Sequence, residues 1–208
     1  MATLINKKYI VIGGGGHARV LIDCLKLLNL PIIGCVDARK NSGDIVLDNI
    51  NIIGDDTILD NYNPSDVLLV NGIGSVKDTK LRTDIYKKFK EKGFNFASLI
   101  HPAAFVSSYA QIKEGSVILA GAIICTNTYI GENVIINTKA SIDHDCSIGS
   151  HSHIAPGVTL SGGVNVGMGS HLGTGSCIIQ NCTIAEKILV GAGEVIKQDI
   201  IATRKNYS

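Results

Sequence analysis

The segment INTKASIDHDCSIGSHSHIAPG, residues 136–157, places an aliphatic residue at every sixth position, and this spacing continues in both directions along the chain. The positions in phase are Ile100, Val106, Ile112, Ile118, Ile124, Ile130, Ile136, Ile142, Ile148, Ile154, Leu160, Val166, Leu172, Ile178, Ile184, Val190 and Ile196. A small residue follows four positions after most of them. This period fits neither a helix nor a hairpin meander. It predicts a solenoid in which three hexapeptides close one coil, so that residues 18 apart stack.

The segment before the repeat has the pattern of a nucleotide-binding βαβ unit. A strand-like run at 8–12 leads into four glycines at 13–16, then a helix at 17–28 and a second strand that ends at Asp37. Glycines at this place let backbone N–H groups approach a phosphate at the helix N-terminus. Further strands are predicted near 67–72 and 95–99, with a helix near 76–92.

Two other interpretations of the glycine turn remain open. Gly13, Gly15 and Ala18 match G-x-G-x-x-A, which indicates a dinucleotide site, but the segment has room for only one of the two mononucleotide halves. A single nucleotide or nucleotide sugar fits better, and a plain glycine turn that binds nothing is the alternative. A second glycine loop, at Gly74, is expected at the same edge of the sheet.

Composition argues against several classes of partner. The 208 residues carry a formal net charge of +1, which favours neither nucleic acid nor an anionic membrane. Mean hydropathy is +0.26, yet no apolar run approaches the roughly 18–20 residues of a membrane span. The N-terminal stretch lacks the pattern of a secretory signal, and the six cysteines include no CxxC pair. We therefore expect a cytoplasmic protein without membrane insertion, with reduced cysteines.

Four of the six histidines lie between residues 144 and 171, inside the repeat. His144 is followed by Asp145, and a histidine beside a carboxylate can act as a general base, provided that a turn lets the two side chains meet. Asn137, one hexapeptide earlier, is a candidate for orienting the ring. A metal site is the competing interpretation, because His153 and His171 are 18 residues apart. The third interpretation is that these histidines lie on solvated turns and have no function.

The combination of these halves resembles one family, the bacterial nucleotide-amino-sugar N-acetyltransferases that include PglD-like, perosamine and sialic-acid (NeuD-like) acyltransferases. The resemblance rests on IGGGGHAR at 12–19, on IHPAA at 100–104, on the segment quoted above and on LSGGVNVG at 160–167. It implies a Rossmann-like α/β domain over residues 1–98 and a left-handed parallel β-helix over residues 99–208. It further implies a homotrimer with acetyl-CoA between neighbouring subunits, and no metal.

The resemblance also implies roles for individual residues. His144 matches the catalytic base, Asp145 the acid that raises its basicity, and the N–H of Gly162 an oxyanion donor. The positions that match nucleotide-sugar contacts are Gly15, Gly16, His17, Asp37, Ala38 and Gly74. The positions that match acetyl-CoA contacts are His153, Thr174 and Ala192.

The implied reaction is the N-acetylation, by direct transfer from acetyl-CoA, of a UDP-linked 4-amino-4,6-dideoxy sugar in surface glycan biosynthesis. O-acetylation of a sialic-acid-like sugar and non-catalytic binding of a nucleotide sugar are the alternatives. The sequence departs from the family at its last residues, VIKQDIIATRKNYS, which lack the G-x-P-A-K segment. Arg204 and Lys205 are candidates for phosphate contacts there.

Overall fold

The computed structural model describes residues 7–76 and 78–201, and the chain divides into two compact units. The first unit contains the described residues up to Gly74 together with Asp84–Ala97. The second contains Ser75–Thr83 and the residues from Ser98 onward. Neither of the two helices described is long and apolar enough to cross a membrane.

The first unit is built on a five-stranded sheet. Its elements are β1 (Lys8–Ile12), α1 (Gly16–Leu27), β2 (Ile32–Val36), β3 (Ile45–Leu47), β4 (Ile50–Gly54), a 3₁₀ helix (Asp56–Asn61), β5 (Val67–Asn71) and α2 (Lys80–Glu91). The first turn of α2, up to Thr83, belongs to the second unit. The strand order is β3-β4-β2-β1-β5, and all neighbours are parallel except β3 and β4. The interior strand β1 lies between β2 and β5, and its residues Tyr9–Ile12 are buried, as expected of a parallel strand whose two faces are both covered.

The predicted βαβ unit is confirmed, with differences at the edges of the sheet. The β3–β4 hairpin was not predicted, because its short strands follow a polar loop with little strand pattern. The predicted strand near 95–99 forms only one isolated bridge, between Leu69 and Phe96. The second helix begins at Lys80 rather than near residue 76.

The second unit is the predicted solenoid, and the fold is a left-handed parallel β-helix. Its two-residue strands are β6 (Leu99–Ile100), β7 (Phe105–Val106), β8 (Gln111–Ile112), β9 (Val117–Ile118), β10 (Ile123–Ile124), β11 (Tyr129–Ile130), β12 (Ile135–Ile136), β13 (Ser141–Ile142), β14 (Ser147–Ile148), β15 (His153–Ile154), β16 (Thr159–Leu160), β17 (Asn165–Val166), β18 (His171–Leu172), β19 (Cys177–Ile178), β20 (Thr183–Ile184), β21 (Leu189–Val190) and β22 (Val195–Ile196). Every third strand pairs in parallel, as Ile124 does with Ile142, so residues 18 apart stack.

The three faces of this prism are three parallel sheets. We call them face A (β6, β9, β12, β15, β18, β21), face B (β7, β10, β13, β16, β19, β22) and face C (β8, β11, β14, β17, β20). The chain runs from face A to B to C within each coil, so one edge follows the face A strands and another follows the face B strands. We call these the A–B edge and the B–C edge.

The repeat in the sequence corresponds to the interior of the prism. The aliphatic residues at every sixth position from Ile118 to Ile196 are at most 4% exposed. Ile100 is 40% exposed, because it belongs to the first strand of its face and only one strand pairs with it. The smaller residues four positions later, such as Ala140 and Cys146, are buried at the corners.

The corners from residue 115 to residue 193 use a left-handed backbone conformation. A residue with positive φ occurs every six positions from 115 to 193, and these residues are glycines, asparagines, lysines, one aspartate and one histidine. Glycine, asparagine and aspartate tolerate this conformation better than other residues. Asp145, with φ of 60°, is the aspartate of the set.

A second column of glycines is required by stacking rather than by φ. A Cβ atom on Gly149 would lie 2.5 Å from the backbone nitrogen of Met168 in the next coil, and Gly131 and Gly167 face their next coils in the same way. Successive coils are therefore too close at these three glycines for a side chain to fit between them.

Candidate functional site

The glycine loop of the first unit leaves the start of α1 uncovered. Gly15 is the N-cap of α1, has no side chain to cap the helix, and has open space where a Cβ atom would be. An α-helix does not use the N–H groups of its own first turn in its internal hydrogen bonds, and the helix dipole favours an anion at this end. This arrangement suits the phosphate of a nucleotide.

Asp37 braces this loop. One carboxylate oxygen accepts a hydrogen bond of 2.9 Å from the Gly14 N–H and the other accepts one of 2.9 Å from the Arg39 N–H. Burial alone would raise the pKa of Asp37, but these two hydrogen bonds and the charges of Arg39 and Lys40 outweigh it and lower the pKa. Asp37 is therefore ionised, and its oxygens keep lone pairs for a further donor such as a ribose hydroxyl. Ala38, next in the chain, is exposed.

The two loops at the carboxyl edge of the sheet meet. A Cβ atom on Gly74 would lie 3.3 Å from the Cβ of His17, so the second glycine loop lies directly beside the start of α1. The predicted nucleotide-sugar residues thus come together at the edge where open α/β sheets bind ligands.

His144 and Asp145 form an exposed pair on the B–C edge. Asp145 occupies the left-handed corner, and this turn brings its Oδ2 to 2.6 Å from Nδ1 of His144. The two side chains are 57% and 53% exposed. The backbone N–H of His144 donates to Oδ1 of Asp143 at 2.7 Å, which holds the corner in place. The pair is therefore accessible from solvent.

The carboxylates around His144 make it a stronger base. The hydrogen bond with Asp145 and the charge of Asp143 raise the pKa of His144 above its ordinary value. The pKa of Asp145 is lowered, first by a hydrogen bond from Asn127 and then by the one from His144. Because Asp145 accepts the Nδ1 proton, the neutral ring presents the lone pair of Nε2 as the base.

Gly162 lies one coil beyond His144 and makes room for the ring. A Cβ atom on Gly162 would lie 2.5 Å from Cε1 and 2.6 Å from Nε2 of His144. The Gly162 carbonyl accepts a hydrogen bond from Asn181, and the part of the chain that the structure describes records no acceptor for the Gly162 N–H. The predicted oxyanion donor is thus adjacent to the predicted base, with its N–H available.

Within one chain, Asn137 lies away from His144. It lies on the A–B edge, and its side-chain nitrogen is 3.0 Å from Nε2 of His153 while its oxygen accepts from the Thr138 N–H. No bond between Asn137 and His144 is recorded among the described residues. The reason is geometric, since seven residues separate the two and successive hexapeptides occupy successive faces. A separation of seven residues therefore does not bring these two side chains together within one chain.

His153 is buried and fully engaged. Besides its contact with Asn137, its Nδ1 is 2.7 Å from the Ser75 hydroxyl, and its ring packs edge-on against His171 with centroids 4.7 Å apart. Burial, followed by the charges of His171 and Arg82, lowers the pKa of His153 to about 3. Both ring nitrogens are occupied, so the predicted contact with acetyl-CoA has no free ring nitrogen in this arrangement.

The other predicted acetyl-CoA residues, Thr174 and Ala192, lie exposed on the A–B edge, 18 residues apart in successive coils. The A–B edge is separated from the B–C edge, which carries His144 and Gly162, by the width of face B. Arg204 and Lys205 lie outside the described residues. Within residues 7–76 and 78–201 no three His, Cys, Asp or Glu side chains form a group that could hold a metal ion.

One residue at this site was missed from the sequence. Asn127 donates from Nδ2 to Oδ1 of Asp145 at 2.6 Å, on the side of the carboxylate away from His144. Its signal is the stacking period itself, because Asn127 is 18 residues before Asp145. Applying that period to the His144–Asp145 pair would have found it.

Two family models match the chain. The PglD N-terminal domain matches residues 8–89, and the bacterial transferase hexapeptide model, six repeats, matches residues 127–162. The second match contains Asn127, His144 and Gly162. A search of curated protein sequences found no significant match.

Solved structures resemble the chain over nearly its full length. The acetyltransferase domain of PglB from Neisseria gonorrhoeae FA1090, in complex with acetyl coenzyme A, is 34% identical with a TM-score of 0.87, over 94% of this chain and 93% of that one. PerB from Caulobacter crescentus, in complex with CoA and GDP-perosamine, is 35% identical with a TM-score of 0.84, over 93% and 90%. WeeI from Acinetobacter baumannii AYE, at 18% identity and a TM-score of 0.71 over 91% and 95%, shares the fold.

These matches cover both units, and the hexapeptide match spans the corner at residues 144 and 145. The chain belongs to the hexapeptide-repeat sugar acetyltransferases that carry a PglD N-terminal domain.

Proposed function

We propose that the protein transfers the acetyl group of acetyl-CoA to the amino group of a nucleotide-linked 4-amino-4,6-dideoxy sugar, with His144 as the general base. The observation that carries the proposal is the exposed His144–Asp145 pair lying against Gly162. Two structures of the perosamine N-acetyltransferase from Caulobacter crescentus, with Ala or Asn in place of one histidine, hold both CoA and GDP-perosamine. They support a substrate pair of this kind.

The proposed reaction is a direct transfer. The sugar amine attacks the thioester carbonyl carbon, a C–N bond forms, and the amine proton passes to Nε2 of His144. The Gly162 N–H stabilises the negative charge on the carbonyl oxygen, as donors aimed at a developing oxyanion do. The C–S bond then breaks, and CoA leaves with the proton that His144 returns to its sulfur. No covalent bond to the protein is required.

The first unit is the proposed holder of the nucleotide. The open start of α1 suits the phosphates, Asp37 suits a ribose hydroxyl, and Gly74 narrows the site from the other side. The sequence leads us to expect a UDP sugar, whereas the Caulobacter relative was crystallised with a GDP sugar. Both nucleotides therefore belong in the assay.

The separation of the two edges supports a homotrimer. His144 and Gly162 lie on the B–C edge, while Thr174 and Ala192 lie on the A–B edge of the same prism. An acetyl-CoA bound at the A–B edge would reach His144 only if a neighbouring copy placed its B–C edge alongside. A cytoplasmic location accompanies the proposal, because all six cysteines are free.

The test is an acetyl-transfer assay with the purified chain. Acetyl-CoA is combined with UDP-linked and GDP-linked 4-amino-4,6-dideoxy sugars, and release of the CoA thiol is followed together with the mass of the product. The expected result is a mass gain of one acetyl group on the amine of one of these sugars. A hydroxyl-bearing analogue and a sialic-acid-like sugar serve as competing acceptors. Turnover on a hydroxyl alone, or nucleotide-sugar binding without transfer, would contradict the proposal.

A further inference from the structure

The corner that carries Asp145 is repeated directly beneath it. Asn127, one coil earlier, has φ of 55°, close to the 60° of Asp145, and the Asp145 N–H donates to the carbonyl of Thr126 at 3.1 Å. The two corners are therefore stacked in register by the backbone. Their side chains leave the prism from equivalent positions and in equivalent directions.

Asn127 and His144 share the carboxylate of Asp145 between them. Nδ2 of Asn127 lies 2.6 Å from Oδ1, and Nδ1 of His144 lies 2.6 Å from Oδ2. An ionised carboxylate only accepts hydrogen bonds, so the amide nitrogen of Asn127 faces it as donor. Each oxygen has its own partner, and the plane of the carboxylate is thereby defined.

This second bond matters because the pair is exposed. Asp145 is 53% exposed, so water competes for its oxygens, and a single contact would leave the carboxylate free to rotate. A donor on the far oxygen removes that freedom without covering the ring. The charge-assisted bond from Asn127 is also of the stronger class.

We propose that Asn127 is a positioning residue, which holds the carboxylate of Asp145 in the orientation that fixes and activates the His144 ring. The inference rests on the proposed role of His144 as the base. Asn127 itself acts only through Asp145, and the carboxylates that face His144 are Asp143 and Asp145.

The test measures His144 directly and uses two substitutions with opposite expected effects. In Asn127→Ala the carboxylate rotates away, so we expect the pKa of the His144 ring, followed by NMR titration, to fall towards its ordinary value. In Asn127→Asp an additional negative charge stands beside the pair, so we expect that pKa to rise. His144→Gln serves to assign the resonance.

Kinetics provide the second measurement. Both variants should lower kcat by roughly 3- to 10-fold, well below the 10²–10⁴-fold typical of a general base. KM for both substrates should stay unchanged, and the acidic limb of the kcat profile should move in the same direction as the pKa. The matched control is Asn181→Asp, because Asn181 occupies the same corner two coils beyond Asp145, with φ of 61°. It should leave the His144 titration and kcat unchanged.

The outcomes separate this inference from the proposed function. Opposite pKa shifts support the positioning role. A His144 pKa that stays at the wild-type value in Asn127→Ala, or that falls in both variants, overturns it. If the shifts appear but His144→Gln retains full turnover, the contact with Asp145 stands and the role of His144 as base is lost.

Discussion

The imidazole of His144 lies across the backbone of Gly162, so close that a Cβ atom at residue 162 would come within 2.6 Å of Nε2. The proposed base and the proposed oxyanion donor are thus set against each other by the stacking of two coils. No intervening loop determines their spacing, because the same 18-residue repeat that builds the prism also places them.

Gly162→Ala is expected to displace the His144 ring while the prism stays folded. The new methyl group meets a side chain rather than backbone, so the ring can swing away, but it then loses its contact with Asp145. We expect kcat to fall by roughly 10²-fold, at the lower end of what a general base contributes. The measurement is steady-state kinetics beside a thermal melt. Gln180→Ala, one coil further along the same column, is the control and should retain wild-type kcat.

His144→Ala is expected to lower kcat by roughly 10²–10⁴-fold, because it removes the proposed general base. The thermal midpoint should stay near that of the wild type, since the side chain is 57% exposed. Acetyl-CoA and nucleotide-sugar affinity, measured by calorimetry, should change little. Full turnover in this variant would exclude His144 as the base.

The pH dependence of kcat should report His144. The base must be unprotonated, and Asp145 and Asp143 raise its pKa, so activity should rise with pH through a midpoint above the ordinary histidine value. In Asp145→Asn the carboxylate that stabilises the imidazolium is lost. The midpoint should then move to lower pH while the plateau falls. A midpoint that moves upward in Asp145→Asn would disagree with this assignment.

Stability should decrease on acidification because of His153. The pKa of His153 in the folded chain is about 3, below the ordinary 6.5. Between these two values the unfolded chain binds a proton at this residue and the folded chain does not. The free energy of unfolding should therefore fall as pH drops from about 6.5 towards 3, by up to about 1.4 kcal/mol per pH unit from this group. Denaturant titrations at several pH values measure the slope. His153→Gln should make it shallower, and an unchanged slope would count against the buried neutral ring.

Gly149→Ala should destabilise the prism by about 1–3 kcal/mol, because its Cβ would lie 2.5 Å from backbone in the next coil and backbone cannot move aside as a side chain can. The matched control is Gly157→Asn. Gly157 has φ of 68° but open space around it, and asparagine holds the same place in another hexapeptide at Asn181, with φ of 61°. This control should cost less than about 1 kcal/mol. Equal losses in the two variants would contradict the stacking argument.

The prism could be predicted from the sequence because every hexapeptide poses the same local problem, with an aliphatic residue inside and a small one at the corner. A turn at Asp145 could be predicted as the condition for its contact with His144, because the side chains of neighbouring residues on a strand point to opposite sides. The β3–β4 hairpin could not, because its pairing depends on a neighbouring strand rather than on its own pattern. The placement of Asn137 on a different edge from His144 could also have been predicted, because successive hexapeptides occupy successive faces and only residues 18 apart stack.

The left-handed corner on the B–C edge recurs with pairs Thr126–Asn127, His144–Asp145, Gly162–Gly163 and Gln180–Asn181. Only one of these pairs combines a histidine with a carboxylate, although the same left-handed corner recurs at all four. Moving this pair by one coil, about 4.8 Å, would take more than a new histidine and a new aspartate. It would also take a glycine one coil beyond the pair, where a Cβ atom would meet the ring, and an asparagine one coil before it, the places that Gly162 and Asn127 now hold. The main chain would need no change, so side chains at three stacked corners decide where along the prism the pair stands.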